Sequence, residues 1–451
     1  MEIGQKADKG DENGGMGARA GAGGGADGGV VVAEGAGHQV HGELAAQSGR
    51  SAEGVAAAGG SGVPRPANRS GCLGVAMRAT SWQNPPASKR PDGQDSMSVI
   101  ETGGIDCDLH PAVPDLNALF PYLSDHWRDI AVQRGMGKLD SISYPVNAPL
   151  SARPDWRISE QKPGSSLELL RKHALDPFRT SIAIANCLYG VQLLFSEDLG
   201  ASFAKALNDW MAAEWLDKEP RLRASIVVPA QNPEMAVDEI NRVARDKRFV
   251  QVLMLVMGDM PLGKRHYWPI YAAAQKHGLP IGIHAGSSYR HPVTSIGWPS
   301  YYTEDYAAQA AAFQQALSSL ICEGVFAKFP DLKVVLLESG FTWLPAHLWR
   351  LTKFWRGLRM EVPWVDRTPA EIVKANVRLT IQPCDSPPTE EMFQKLMEHM
   401  DSDELLLFST DYPHWQFDGE EVLPPGLSSA LVRKIMIDNP LATYSRLAPG
   451  G

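Results

Sequence analysis

The chain has 451 residues and carries 43 lysines and arginines against 52 aspartates and glutamates, a formal charge of −9. That balance, without a basic cluster, excludes a dedicated nucleic-acid binder, and no apolar run approaches the ~20 residues of a membrane helix. The first 100 residues hold 22 of the 42 glycines, 17 alanines, one tryptophan (Trp82) and neither phenylalanine nor tyrosine. Such a stretch cannot bury enough apolar surface to offset its ordering entropy, so it is predicted to be disordered.

Globular composition begins just after Met97, so residues 1–96 are either a natural tail or an extension ahead of the native start. The expected organisation is a low-complexity segment over 1–100 and one globular unit over 101–451. Val30–Ala33 is too short for the apolar core of a secretory signal. The cysteines (Cys72, Cys107, Cys187, Cys322, Cys384) are odd in number and lack Cys-x-x-Cys spacing. They read as reduced thiols of a cytoplasmic protein.

From Ile105 onward, short β-branched runs alternate with amphipathic stretches. The first predicted strand is Ile105–His110 and the second Ser181–Ala185; Ser196 then caps a helix over Glu197–Lys218. A third strand, Ala224–Val228, precedes a helix opened by Asn232 and Pro233 and running to about Arg245. After a fourth strand, Val250–Leu255, the next helix ends at His277-Gly278, with glycine suited to the left-handed turn. The remaining strands are Pro280–His284, Lys333–Glu338, Val377–Gln382 and Leu405–Thr410, with Thr389 opening a helix over Glu390–His399.

Eight strands separated by helices over ~340 residues predict an α/β fold, a (β/α)8 TIM barrel with loop insertions. A doubly wound open sheet would carry a phosphate loop after an early strand, and none is present. Lys138–Pro163 and Ser287–Thr303 are predicted excursions on the face where barrel active sites form.

The barrel places chemistry at the C-terminal ends of strands. Alternation with period two puts Asp106, Asp108 and His110 on one side of the first strand. Three inward ionisable groups need compensation, which a divalent cation would provide. A lone histidine such as His284 after an apolar run is ordinarily a core residue. Here it coincides with carboxylates closing the sixth strand (Glu338) and the eighth (Asp411, followed by His414). Four strands ending on ligand-type residues point to a metal site.

The segments IDCDLHP, GLPIGIHAG, LKVVLLESGFTWLP and LLLFSTDYPHWQFD, in that order, resemble the amidohydrolase-related branch of the amidohydrolase superfamily. That branch includes aminocarboxymuconate-semialdehyde decarboxylase, related aromatic-acid decarboxylases, and hydrolases of C–N, C–O or C–C bonds. The resemblance spans Ile105 to Leu447. It implies metal ligands at Asp108, His110, His284 and Asp411, with Asp411 also handling a proton. Two positions depart from the family pattern: Asp108 stands where His or Glu is frequent, and Glu338 where a catalytic histidine is common.

Two carboxylates and two imidazoles suit zinc or manganese, and a bound cation would lower the pKa of water toward 7. The first functional reading is therefore a metal-dependent hydrolase of a small carboxylated or aromatic substrate, with Asp411, Glu338 and His414 as catalytic groups. The alternative is a non-oxidative decarboxylase; a third reading is a barrel that binds without catalysis. In the second insertion, Arg290 is expected to pair with a substrate carboxylate, and Tyr289, His291 and Trp298 to contact its ring. The expected partner is a small molecule, with a homodimer as the expected assembly.

Overall fold

The computed structural model describes residues 103–139, 151–158, 161–417, 419, 422–424 and 426–447. The predicted tail, with Trp82 and Met97, lies outside the described residues, as do 140–150 of the first excursion.

Strands β1 (Ile105–Leu109), β2 (Ile182–Ala185), β3 (Leu222–Val227), β4 (Phe249–Met257), β5 (Ile281–Ser287), β6 (Val334–Leu337), β7 (Val377–Thr380) and β8 (Leu406–Leu407) form one sheet in chain order. Each is parallel to the next. The run VVLL of β6 is buried throughout and the other strands mostly so, as expected for parallel strands covered on both faces. Beyond β8 the chain returns to β1. Cys107 N–H donates to Phe408 O (2.9 Å), Asp411 N–H to Asp108 O (2.9 Å), and His110 N–H to Tyr412 O (2.7 Å). These bonds close the barrel.

All eight predicted strands form, with shifted ends. β5 runs three residues past His284, whereas β8 is regular only over Leu406–Leu407. The eighth strand ends early because Thr410 turns its N–H and hydroxyl to Asp106, and Asp411 takes a left-handed backbone (φ 57°).

The predicted caps are in place. Ser196, Asn232 and Thr389 each accept the N–H three residues on, and Gly278 has φ 65°. The helix predicted over 197–218 is α-helical over Glu197–Met211 and continues through a π-turn at Ala212–Leu216.

No helix or regular strand lies between β5 and the helix Tyr302–Cys322, so the second excursion leaves the barrel where expected. The end of the first excursion returns over the β8 loop, with Arg153 N–H on Pro413 O (2.8 Å) and Trp415 N–H on Ser151 O (2.7 Å).

Candidate metal centre and active site

Asp108, His110, His284 and Asp411 each offer one ligand-type atom, and these four atoms lie within 4.8 Å of one another at the C-terminal end of the barrel. Asp108, His284 and Asp411 have no measurable exposure, and His110 has 5%. The structure therefore brings together the four residues that the sequence pointed to.

The imidazoles are oriented by backbone carbonyls. His110 Nδ1 lies 2.9 Å from Asn186 O, and His284 Nδ1 lies 2.7 Å from Ala285 O. A carbonyl only accepts, so both Nδ1 atoms carry hydrogen and both Nε2 atoms turn their lone pairs inward. His110 Nε2 approaches Asp411 Oδ1 (2.8 Å) and Asp108 Oδ1 (3.4 Å). His284 Nε2 stands 3.5 Å from Asp108 Oδ2 and 3.4 Å from Glu338 Oε2.

Three buried atoms of this cluster, Asp108 Oδ2, His284 Nε2 and Asp411 Oδ2, have no hydrogen-bond partner. Buried polar atoms are normally matched, and each unmatched one costs about 1–3 kcal/mol. Two carboxylate oxygens and two imidazole nitrogens form a donor set that fits zinc or manganese. The residues thus fit a divalent cation.

Electrostatics agree. Burial alone would lower the His110 pKa, but Asp108 and Asp411 outweigh it and lift it to about 10. Burial would likewise lower that of His284, and Asp108 and Glu338 raise it. Burial pushes the Asp411 carboxyl up, yet His414 and His110 hold it well below the usual carboxylate range. For Glu338, burial and the neighbouring Asp411 charge raise it to about 8. The pocket attracts positive charge strongly, which a cation would satisfy in place of protons.

Glu338 lies beside the cluster, 8% exposed, and with His414 it borders a cavity of about 350 Å³. His414 Nδ1 is 2.8 Å from Asp411 Oδ1. Glu338, Asp411 and His414 form a second group of ligand-type atoms within 4.8 Å. Both Glu338 and Asp411 have φ 57°, a conformation rare for residues with a Cβ and concentrated at functional sites.

Asp106, grouped with Asp108 and His110 by strand alternation, is not part of the cluster. It accepts from Thr410 N–H (3.0 Å), Thr410 Oγ1 (2.6 Å) and Asp108 N–H (3.1 Å), tying β1 to the end of the eighth strand. Burial pushes its carboxyl up to about 7, and these hydrogen bonds oppose that only in part.

The second insertion divides. Tyr289 borders the cavity; Arg290, His291 and Trp298 do not. Arg290 is turned away, with Nε 3.1 Å from Asp259 Oδ1, its guanidinium donating to Leu194 O and standing 3.5 Å over the Phe195 ring. His291 faces the Pro292 and Gly258 carbonyls, and Trp298 stacks outside Tyr289.

The sequence reading missed Asn186. Its Nδ2 donates to Asp108 Oδ1 (2.8 Å), while its Oδ1 accepts from Ser225 Oγ (2.5 Å) and Gln251 Nε2 (3.1 Å). Gln251 in turn accepts from the Tyr444 hydroxyl (3.0 Å). A signal existed: Asn186 directly follows the apolar run of β2, as His284 falls at the close of an apolar run in β5. Also missed were Lys162, Asp305, Tyr306 and Gln309, which border the cavity from outside the strands.

Residues 105–446 match a family model described as Amidohydrolase. The chain belongs to the amidohydrolase family. It is 24% identical over 248 residues to gamma-resorcylate decarboxylase of Polaromonas sp. strain JS666, covering 51% of this chain and 71% of the relative. A 5-carboxyvanillate decarboxylase of Novosphingobium aromaticivorans, solved with manganese and 4-hydroxy-3-methoxy-5-nitrobenzoic acid, matches it with TM-score 0.56 and 20% identity, over 78% of this chain and 100% of that one. A dihydroxybenzoic acid decarboxylase of Polaromonas sp. JS666, with bound manganese and 2-nitroresorcinol, matches with TM-score 0.55 and 18% identity, over 77% and 98%. The two structures share the barrel with this chain. Among the described residues, no helix is long and apolar enough to cross a membrane.

Proposed function

We propose that residues 101–451 are a metal-dependent, non-oxidative decarboxylase of a small hydroxylated aromatic or unsaturated acid. The observation that carries this reading is the buried four-donor cluster, of which His110 borders a cavity lined also by Glu338 and His414. The decarboxylase relatives favour carboxy-lyase chemistry over the hydrolase first expected from the sequence. The intact donor set argues against a barrel that only binds.

Asp108, His110, His284 and Asp411 would hold the cation, with manganese or zinc suited to the donors. When bound, it supplies Lewis-acid polarisation of a substrate carboxylate and an adjacent hydroxyl. The chain's own task is to move a proton. Glu338, at the cavity edge with no hydrogen bond to its carboxylate among those described, is placed to give a proton to the ring carbon that bears the carboxylate. The carbon–carbon bond then breaks, its electron pair returns to the ring, and carbon dioxide leaves. Asp411, held ionised, keeps His110 and His414 in line through Oδ1, and His414, on the same cavity wall as Glu338, would return to Glu338 the proton it gives up.

The full-length protein loaded with manganese, given a panel of 2-hydroxybenzoates in deuterated water, is expected to release carbon dioxide and place deuterium on the vacated carbon. Cleavage of esters or amides of the same acids without carbon dioxide release would restore the hydrolase reading.

A further inference from the structure

The cavity has a second polar wall, on a helix rather than on the strand ends. Tyr302, Asp305, Tyr306 and Gln309 all border it and fall at spacings of three and four in the first turns of the helix Tyr302–Cys322. That spacing sets them on one helical face. The two phenols bond each other, Tyr302 to Tyr306 at 3.2 Å. The other two are poorly matched.

Asp305 is 7% exposed, and the hydrogen bond to its carboxylate is a long one, from Gln309 Nε2 at 3.4 Å. Gln309 Oε1 is buried without any partner. Two residues that border the cavity thus carry a nearly buried carboxylate and a buried amide oxygen, with one long hydrogen bond between the two side chains. Burial pushes the Asp305 carboxyl up, and the Gln309 contact only partly opposes this. Two such acceptors are costly unless a donor reaches them. No side chain among those described supplies it, and both residues border the cavity in which a ligand would sit.

We propose that Asp305 and Gln309 form a subsite for a hydrogen-bond donor on the substrate, so that the preferred acid carries a ring hydroxyl or amino group directed at this helix. The proposal rests on the decarboxylase reading for the identity of the acid, and extends it by naming a substituent. A site built to bond a hydroxyl discriminates strongly against analogues that lack the donor, because its buried acceptors are then left unmatched.

Equilibrium binding tests this without requiring turnover. The manganese-loaded full-length protein is titrated with 2-hydroxybenzoates carrying a hydroxyl, amino or methoxy group at position 4 or 5. At least one hydroxyl or amino isomer is expected to bind about tenfold tighter than its methoxy counterpart, the size of one hydrogen bond to a charged group. Gln309→Leu and Asp305→Asn should each shrink that ratio to about threefold or less while leaving methoxy binding unchanged. Gln309→Met, which keeps the chain length without the amide, serves if the leucine variant does not fold. Equal affinities across the set, no binding by any member, or variants that keep the wild-type ratio would overturn the subsite. The expected ratio in a wild-type protein that releases no carbon dioxide, lost in the variants, would sink the decarboxylase reading and leave the subsite standing.

Discussion

Glu338 and Asp411 end β6 and the β8 segment with the same left-handed backbone, each at φ 57°. The left-handed conformation costs a residue with a Cβ about 1–2 kcal/mol, and both residues are more than nine-tenths buried. Strain and burial together point these carboxylates at the donor cluster and the cavity. Neither adopts the geometry that a stable loop would choose for itself.

Glu338→Gly relieves the left-handed strain and removes a buried carboxylate that has no hydrogen bond among the described residues, at the cost of its 3.4 Å contact with His284 Nε2 and of a more flexible unfolded chain. The metal-free variant is expected to be more stable than wild type by about 1 kcal/mol, and inactive. Urea unfolding measures this; a variant less stable than wild type would show that Glu338 is held by favourable contacts instead.

Asp411→Asn keeps the size of the side chain but removes a negative charge from the cluster. Manganese should bind more weakly, and the variant saturated with metal should turn over about 10²–10⁴-fold more slowly, the usual share of acid–base catalysis. Near-normal turnover at saturating metal would limit Asp411 to holding the cation.

Asn186→Leu takes a donor from Asp108 Oδ1 and an acceptor from Ser225 and Gln251. Groups that orient metal ligands from behind typically govern affinity by about 10–100-fold. Competition with a chelator should show manganese affinity falling within that range. Tyr444→Phe, which breaks only the outer link to Gln251, should produce a smaller loss. Unchanged affinity in Asn186→Leu would make the network purely structural.

Glu219 gives a pH dependence away from the site. Its carboxylate accepts from Arg221 Nε (2.8 Å) and Arg171 Nε (2.7 Å), and these contacts, Arg221 foremost, hold its pKa down to about 2. A depressed carboxylate stabilises the fold above its unfolded value, near 4.5, and loses that contribution as pH falls toward 2. Both arginines are partly exposed, so the gain is about 1 kcal/mol at most. The stability difference between wild type and Glu219→Gln should thus be present at pH 6 and vanish toward pH 2. A difference that stays constant over that range would remove the ion pair from the account.

Much of this molecule is written locally. Eight apolar runs, the caps at Ser196, Asn232 and Thr389, and Gly278 are short-range features, so strand number, helix starts and barrel class follow from sequence pattern. The barrel rule put Asp106, Asp108, His110, His284, Glu338 and Asp411 at strand ends, and the resemblance to the amidohydrolase-related branch singled out the four cluster residues among them. What sequence cannot supply is direction after a strand ends. Arg290 and Asp305 are both charged residues near the second excursion, yet one turns out to Asp259 and the other into the cavity. Period two also failed to separate Asp106 from Asp108, because Thr410, some 300 positions away, brings the hydrogen bonds that decide it.

The sequence by itself determined the elements, their order and the chemical type of the donors, since each depends on residues within one or two turns of each other. Tertiary structure alone decided which groups are unmatched. Asn186, Ser225, Gln251 and Tyr444 meet across three strands and the C-terminal segment, and Gln251 has room only because a Cβ at Gly282 would lie 2.4 Å from its Cδ. Whether a buried carboxylate is satisfied, strained or free to take a cation depends on such distant partners. Burial turns that difference into kilocalories, because water is no longer there to level it.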